Sequence, residues 1–379
     1  MAFKFWDAAE LLAEKPDARY YFILSARATG KTYSVVRQST KDNYNDLGMF
    51  AYIRRHDEDI KTKNLQELFG AQDIAEITND KYNKISFWHG FFYYEKWETN
   101  KDTKKYERVE RNPKPCGVAL AINTWERSKG QDIGAAYGGF KNIIFDEVIT
   151  GVNYLPDEFQ KFKNIISSLV RQRTDQDTKI WMLANPLSRW CPYFRELGID
   201  KKMIETPGKR YEIKYPDTDM TTIFEYIGNL NAAEAEKSKV FETFFAFPNS
   251  KSKSKAITEG FWELDDSCHL PSGVYKDSVL KKEVFLYYGE SWIRGQIMRY
   301  NETGVYFIVW SPSRAPKKGE YYFILNAVPD RYAIVGVRTG HPYAELINRI
   351  AQTNQIYYSD NTTADIYHGF IKEANRIVR

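Results

Sequence analysis

Residues 22–36, FILSARATGKTYSVV, decide how the rest of the chain is read. An apolar run over 20–24 leads into them and helix-compatible spacing follows Gly30 and Lys31, so the order is strand, loop, helix. A loop in that setting turns backbone N–H groups toward a phosphate, a lysine toward its β and γ oxygens, and a hydroxyl toward magnesium. Gly30, Lys31 and Thr32 supply that second half, and Arg27, Ala28 and Thr29 complete the candidate nucleotide cradle. Ser25 stands where the usual loop has its first glycine; it is small, and the position stays feasible provided its φ is negative. Taken alone, a GKT triplet has an ordinary rival reading as a helix N-terminus with an exposed lysine.

A second motif adds weight to the first. NIIFDEV, residues 142–148, ends an apolar strand in two carboxylates: Asp146 suits a magnesium shell and Glu147 suits orienting and polarising a water. The rival reading is a strand followed by a solvated acidic turn. Both motifs in this order point to nucleotide hydrolysis, with ATP and Mg2+ as cofactors and Thr32 and Asp146 as the metal ligands. Asn185 lies just past the strand KIWMLA, at the edge where the other motifs fall, and reads either as a γ-phosphate sensor or as a turn residue before Pro186. Charge developing on a transferring phosphoryl group is met by a guanidinium, often from a neighbouring subunit. Arg171 and Arg173 are the candidates, with Lys129 in the loop RSKGQD as another; ordinary solvated charge is the competing explanation.

At 379 residues the chain has room for two domains. No window approaches the roughly 18 unbroken apolar residues of a membrane span, and the first residues lack a secretory pattern, so no membrane partner and a cytoplasmic setting are expected. Cys116, Cys191 and Cys268 are far apart and read as buried thiols. The net charge of +4 excludes an all-over basic coat but leaves room for local basic tracks. Three stretches qualify: Arg54, Arg55, Lys61 and Lys63 after the second strand; a hairpin tip carrying Lys104 and Lys105; and the linker lysines Lys251, Lys253 and Lys255. A solvated face is the usual explanation of such runs.

The expected fold is α/β: a P-loop ATPase domain of the ASCE type with a mainly parallel sheet over 1–205, a helical linker or lid over 206–257, and a smaller α+β unit over 258–379. Residues 221–246 read as helical, strands dominate from 274 onward, and a helix is expected at 344–353.

SARATGKT, the arginine pair, the SKGQD loop, IIFDE and MLANP follow one another as in the DNA-packaging ATPases of small podophages with protein-primed linear genomes, distant relatives of terminase large subunits, which this sequence resembles over about residues 18–200. The resemblance implies an ATP-driven motor: a homomeric ring, expected to have five subunits, that sits transiently on the portal of an empty procapsid in the host cytoplasm and drives double-stranded DNA inward. It also implies Mg-ATP held by Lys31 and Thr32, water activated by Asp146 and Glu147, and a basic residue acting across the subunit boundary. For the C-terminal unit it implies an RNase H-like fold without its catalytic carboxylates, binding DNA or a structural RNA at the portal. Another P-loop nucleic-acid motor, such as a helicase or replication ATPase, and a non-hydrolysing nucleic-acid-binding scaffold are the alternatives.

Overall fold

The computed structural model describes residues 5–27, 29–125, 139–150, 154–155, 157–170, 177–187, 191–228, 272–326, 328–337, 340–353 and 355–377, which fall into two compact units. In the first, ten strands form one sheet: β1 (Tyr20–Leu24), β2 (Met49–Arg54), β3 (Lys84–Trp88), β4 (Phe91–Thr99), β5 (Tyr106–Arg111), β6 (Gly117–Ala121), β7 (Phe140–Asp146), β8 (Lys179–Ala184), β9 (Lys209–Lys214) and β10 (Thr221–Tyr226). Their order is β3-β4-β6-β2-β7-β8-β1-β10-β9, with β5 added to β4. The six strands from β6 to β10 in that order are all parallel; the antiparallel β3, β4, β5 and β9 close the two ends. β8 lies between the strand of the phosphate loop and that of the acidic pair.

Parallel strands buried on both faces are continuous apolar runs, and YYFIL, MFAYI and IIF are of that kind. The helix Lys31–Tyr44 packs against one face, where Tyr21, Ile23, Val35, Val36, Phe50, Tyr52, Ile144, Trp181 and Leu183 share a core. The alternate residues face the other way: Phe22 meets Phe194 and Phe224, and Phe145 meets Phe162 and Tyr193.

One segment departs from the sequence reading. Thr221–Tyr226, expected to be helical, is strand β10, paired in parallel with β1 and antiparallel with β9. The first part of the expected 206–257 linker therefore belongs to the sheet of the first unit. TTIFEY is rich in β-branched and aromatic residues that suit a buried strand, and Ile223, Phe224 and Tyr226 are buried there. The rest of that segment, 229–257, lies outside the described residues.

The second unit has six strands, β11 (Ser278–Tyr288), β12 (Ser291–Tyr300), β13 (Tyr306–Ser313), β14 (Tyr322–Ile324), β15 (Ala333–Val335) and β16 (Ile356–Tyr358), in the order β15-β14-β11-β12-β13-β16. An antiparallel meander, β11 to β13, is extended by β14 parallel to β11 and β15 parallel to β14. The helices Pro342–Gln352 and Asn361–Ile377 share its core, which is built on Trp310, Phe323, Ile347, Tyr367 and Phe370. Cys116 and Cys191 are free, buried thiols, and Cys268 lies outside the described residues. Among the described residues no helix is long and apolar enough to cross a membrane.

Candidate nucleotide-hydrolysis site

Because β1, β2, β7 and β8 are parallel, their C-terminal ends share one edge of the sheet, the edge where α/β proteins bind ligands. The phosphate loop leaves β1, Arg54 and Arg55 end or follow β2, Asp146 and Glu147 end or follow β7, and Asn185 follows β8. Topology alone thus gathers residues spread over more than a hundred positions of sequence.

The loop is closed from within. Ser25, fully buried, pairs its hydroxyl with that of Thr29 at 2.6 Å and donates to the Ala26 carbonyl at 2.9 Å, while its N–H donates to Ala184 O at 3.1 Å. Its φ is not in the positive range, so the tight exit from the strand needs no glycine at this position. Gly30 is different. Its φ is +90°, and a Cβ added there would lie 3.1 Å from Cβ of Phe5. Phe5 is held nearby because the Trp6 N–H donates to Thr29 O at 3.0 Å. Gly30→Ala is therefore expected to distort the loop at a cost of about 1–2 kcal/mol and to weaken nucleotide binding about tenfold, read by titration with a fluorescent nucleotide.

Lys31 is buried, and its Nζ donates to Asn185 Oδ1 at 2.5 Å. Burial pushes its pKa down to about 8; Asp146 and Glu147 oppose that fall and Arg27 adds to it. Burial takes water from the amine, and the two carboxylates beside it restore part of what its charged form loses. Thr32 Oγ1 donates toward Asp146, 3.2 Å from Oδ2 and 3.4 Å from Oδ1. Two hard oxygens this close, one neutral and one anionic, fit Mg2+, which takes few protein ligands and keeps several waters.

Asp146 is a meeting point. Tyr52 donates its hydroxyl to Oδ2 at 3.0 Å, and the Glu147 N–H donates to Oδ1 at 3.0 Å. Glu147 turns out of the strand with φ +59°, and its exposed carboxylate takes Nη2 of Arg54 at 2.6 Å. Burial works against the Arg54 charge, but Tyr52 and Glu147 outweigh it and raise the pKa above its usual value.

The arginine pair is more enclosed than an open basic track. Both residues are expected to grip DNA, yet Arg54 is engaged with Glu147 and Arg55 is buried against Glu158, so in this structure neither presents its charge to a polyanion. Successive strand residues face opposite sides, which sends Arg54 to the Tyr52 side and Arg55 to the side of Phe145. Lys61, Lys63, Lys104 and Lys105 are exposed, the last two in the turn between β4 and β5. Arg27 is exposed at the loop. Ala28, Lys129, Arg171 and Arg173 lie outside the described residues, as do Lys251, Lys253 and Lys255. Tyr52, Glu158 and Phe5 have no part in the sequence reading. The alternation Phe50, Tyr52, Arg54 could have placed Tyr52 beside the site, but nothing local marks Glu158.

In the second unit Glu290 sits in the β11–β12 turn with φ +61°, and Asp360 accepts from the Thr363 N–H at 2.8 Å at the start of the last helix. Among the described residues no three His, Cys, Asp or Glu side chains gather into a metal-binding group.

Sheet order, phosphate loop and acidic pair together define a P-loop α/β domain, joined in this chain to a smaller mixed-sheet unit. The same two-unit fold, over 98% of this chain, is found in the Phi-29 viral genome packaging motor assembly (TM-score 0.57, 14% identity, all of that chain covered) and the Phi-28 gp11 DNA packaging motor (TM-score 0.53, 15% identity, 98% of that chain covered). A DNA packaging protein of Bacillus phage B103 is 24% identical over 181 residues, a match that covers 47% of this chain and 47%, about half, of that relative. No family model matches the sequence.

Proposed function

We propose that this protein is the ATP-hydrolysing motor of a virus that packages its genome, working as a ring at the portal of an empty procapsid in the host cytoplasm and moving double-stranded DNA inward. The observation that carries the reading is the convergence of Lys31, Thr32, Asp146, Glu147 and Asn185 at one sheet edge, on a fold shared along its whole length with two packaging motors.

Lys31 and the N–H groups at the start of the helix Lys31–Tyr44 hold the β and γ phosphates, and Asn185 fixes the lysine between them. Mg2+ held by Thr32 and Asp146 would neutralise phosphate charge. Glu147 orients the attacking water. Its carboxylate is exposed while the Arg54 side chain is mostly enclosed, so it is the Glu147 end of the pair that water can reach. Arg171, Arg173 or Lys129 would meet the developing charge from a neighbouring subunit. Lys61, Lys63, Lys104 and Lys105 would contact the DNA backbone, each adding little but multiplied around a ring. Five subunits and a structural RNA partner belong to the same proposal.

The deciding experiment is ATP-dependent filling of portal-bearing empty capsids, scored as DNA protected from added nuclease. Protection is expected; strand separation without protection would identify a helicase-type motor and overturn the packaging reading. Tyr52→Phe removes a hydrogen bond that orients a metal ligand, and the Mg2+ concentration for half-maximal turnover is expected to rise roughly tenfold.

A further inference from the structure

Arg55 follows β2 directly, and its guanidinium joins two distant parts of the first unit. Nε and Nη2 form a two-pronged contact with Glu158, at 2.9 Å to Oε2 and 3.0 Å to Oε1. Nη1 and Nη2 also reach the backbone just past β7, donating to Glu147 O at 3.1 Å and Val148 O at 2.7 Å. The group lies over the rings of Phe145 and Tyr154, with its centre 5.8 and 5.1 Å from theirs. Glu158 opens the helix Glu158–Leu169 and is itself saturated: besides Arg55 it accepts from the Tyr193 hydroxyl at 3.0 Å and the Leu155 N–H at 2.8 Å. The Arg55 and Glu158 side chains are 7% and 1% exposed.

A buried ion pair is weak evidence of a stabilising role, because apolar residues of similar volume often serve as well. What apolar residues cannot do is grip two consecutive carbonyls and a carboxylate at once, a task for which the planar fork of arginine is suited and the single amine of lysine is not. The first of those carbonyls belongs to Glu147, whose φ of +59° is a conformation that non-glycine residues adopt only when their surroundings impose it.

We propose that Arg55 is a positioning residue for hydrolysis: anchored on Glu158, it holds the left-handed backbone turn that aims Glu147 at the water. The inference rests on the reading of Glu147 given above. It ties the first residue of the helix Glu158–Leu169 to the water-orienting carboxylate through a single side chain, so displacement of that helix is felt at Glu147.

The test uses the full chain with double-stranded DNA and single-turnover ATP hydrolysis, protein in excess. Arg55→Lys is expected to slow hydrolysis about a hundredfold, the scale of a misplaced catalytic group, while nucleotide affinity changes less than about threefold. In a Glu147→Gln background the same substitution is expected to change the rate less than about twofold, because a residue acting through Glu147 has nothing left to position. The pair Arg55→Met with Glu158→Gln removes the grip without leaving a buried charge and is expected to repeat both results. Equal losses in both backgrounds, or an undiminished rate for Arg55→Lys and the paired variant beside an impaired Glu147→Gln, would overturn the inference alone. A wild-type chain that does not hydrolyse ATP, or a Glu147→Gln chain that hydrolyses it normally, would overturn the reading of the acidic pair and this inference with it.

Discussion

Glu147→Gln should bind Mg-ATP as the wild type does yet lose roughly 10²–10⁴-fold in single-turnover hydrolysis, the usual contribution of a positioned acid–base group. The separation of binding from chemistry follows from the geometry. The groups assigned to phosphate and metal are Lys31, Asn185, Thr32 and Asp146, and their mutual contacts do not pass through the Glu147 carboxylate. Glutamine keeps the size of the side chain and an oxygen for Arg54, but has no charge with which to polarise water. A variant that fails to bind nucleotide would place Glu147 among the phosphate-holding groups; one that hydrolyses normally would remove it from the mechanism.

Glu158→Ala is expected to act on stability. It leaves the Arg55 guanidinium buried without its carboxylate and strips the Tyr193 hydroxyl and the Leu155 N–H of their acceptor. Breaking one side of a buried pair costs about 3–5 kcal/mol, which for a unit of this size lowers the melting midpoint by roughly 6–20 °C. A guanidinium is too basic to lose its proton in a protein, so with Glu158 gone the arginine cannot escape the cost by becoming neutral. An unchanged midpoint in calorimetry or circular dichroism would mean that water reaches the site and that the pair is not buried in solution.

What could be read from the sequence divides along a physical line. The phosphate loop and acidic pair are local patterns, each an apolar run ending in residues of defined chemistry, and the parallel sheet then brings them together without further information. The Ser25 substitution is legible too, since a small residue with negative φ meets the need there. The roles of Arg54 and Arg55 are not. Two adjacent arginines before a run of charges look like a surface track, and their partners lie 93 and 103 residues further on. A single sequence carries pairings at that separation only as faint alternation along β2. The reading of 221–226 failed for another reason: the AAEAEK run that follows is strongly helix-forming and drew the short β-branched segment into its own pattern.

The backbone at Glu147 carries a last implication. Glycine would occupy that left-handed position with less strain, so the fold gains nothing from the glutamate's backbone there. Random drift filtered only for thermal robustness would be free to discard the side chain. On the proposed reading the side chain there serves turnover rather than the fold, and variants chosen solely for heat resistance are the ones in which this residue should be checked first.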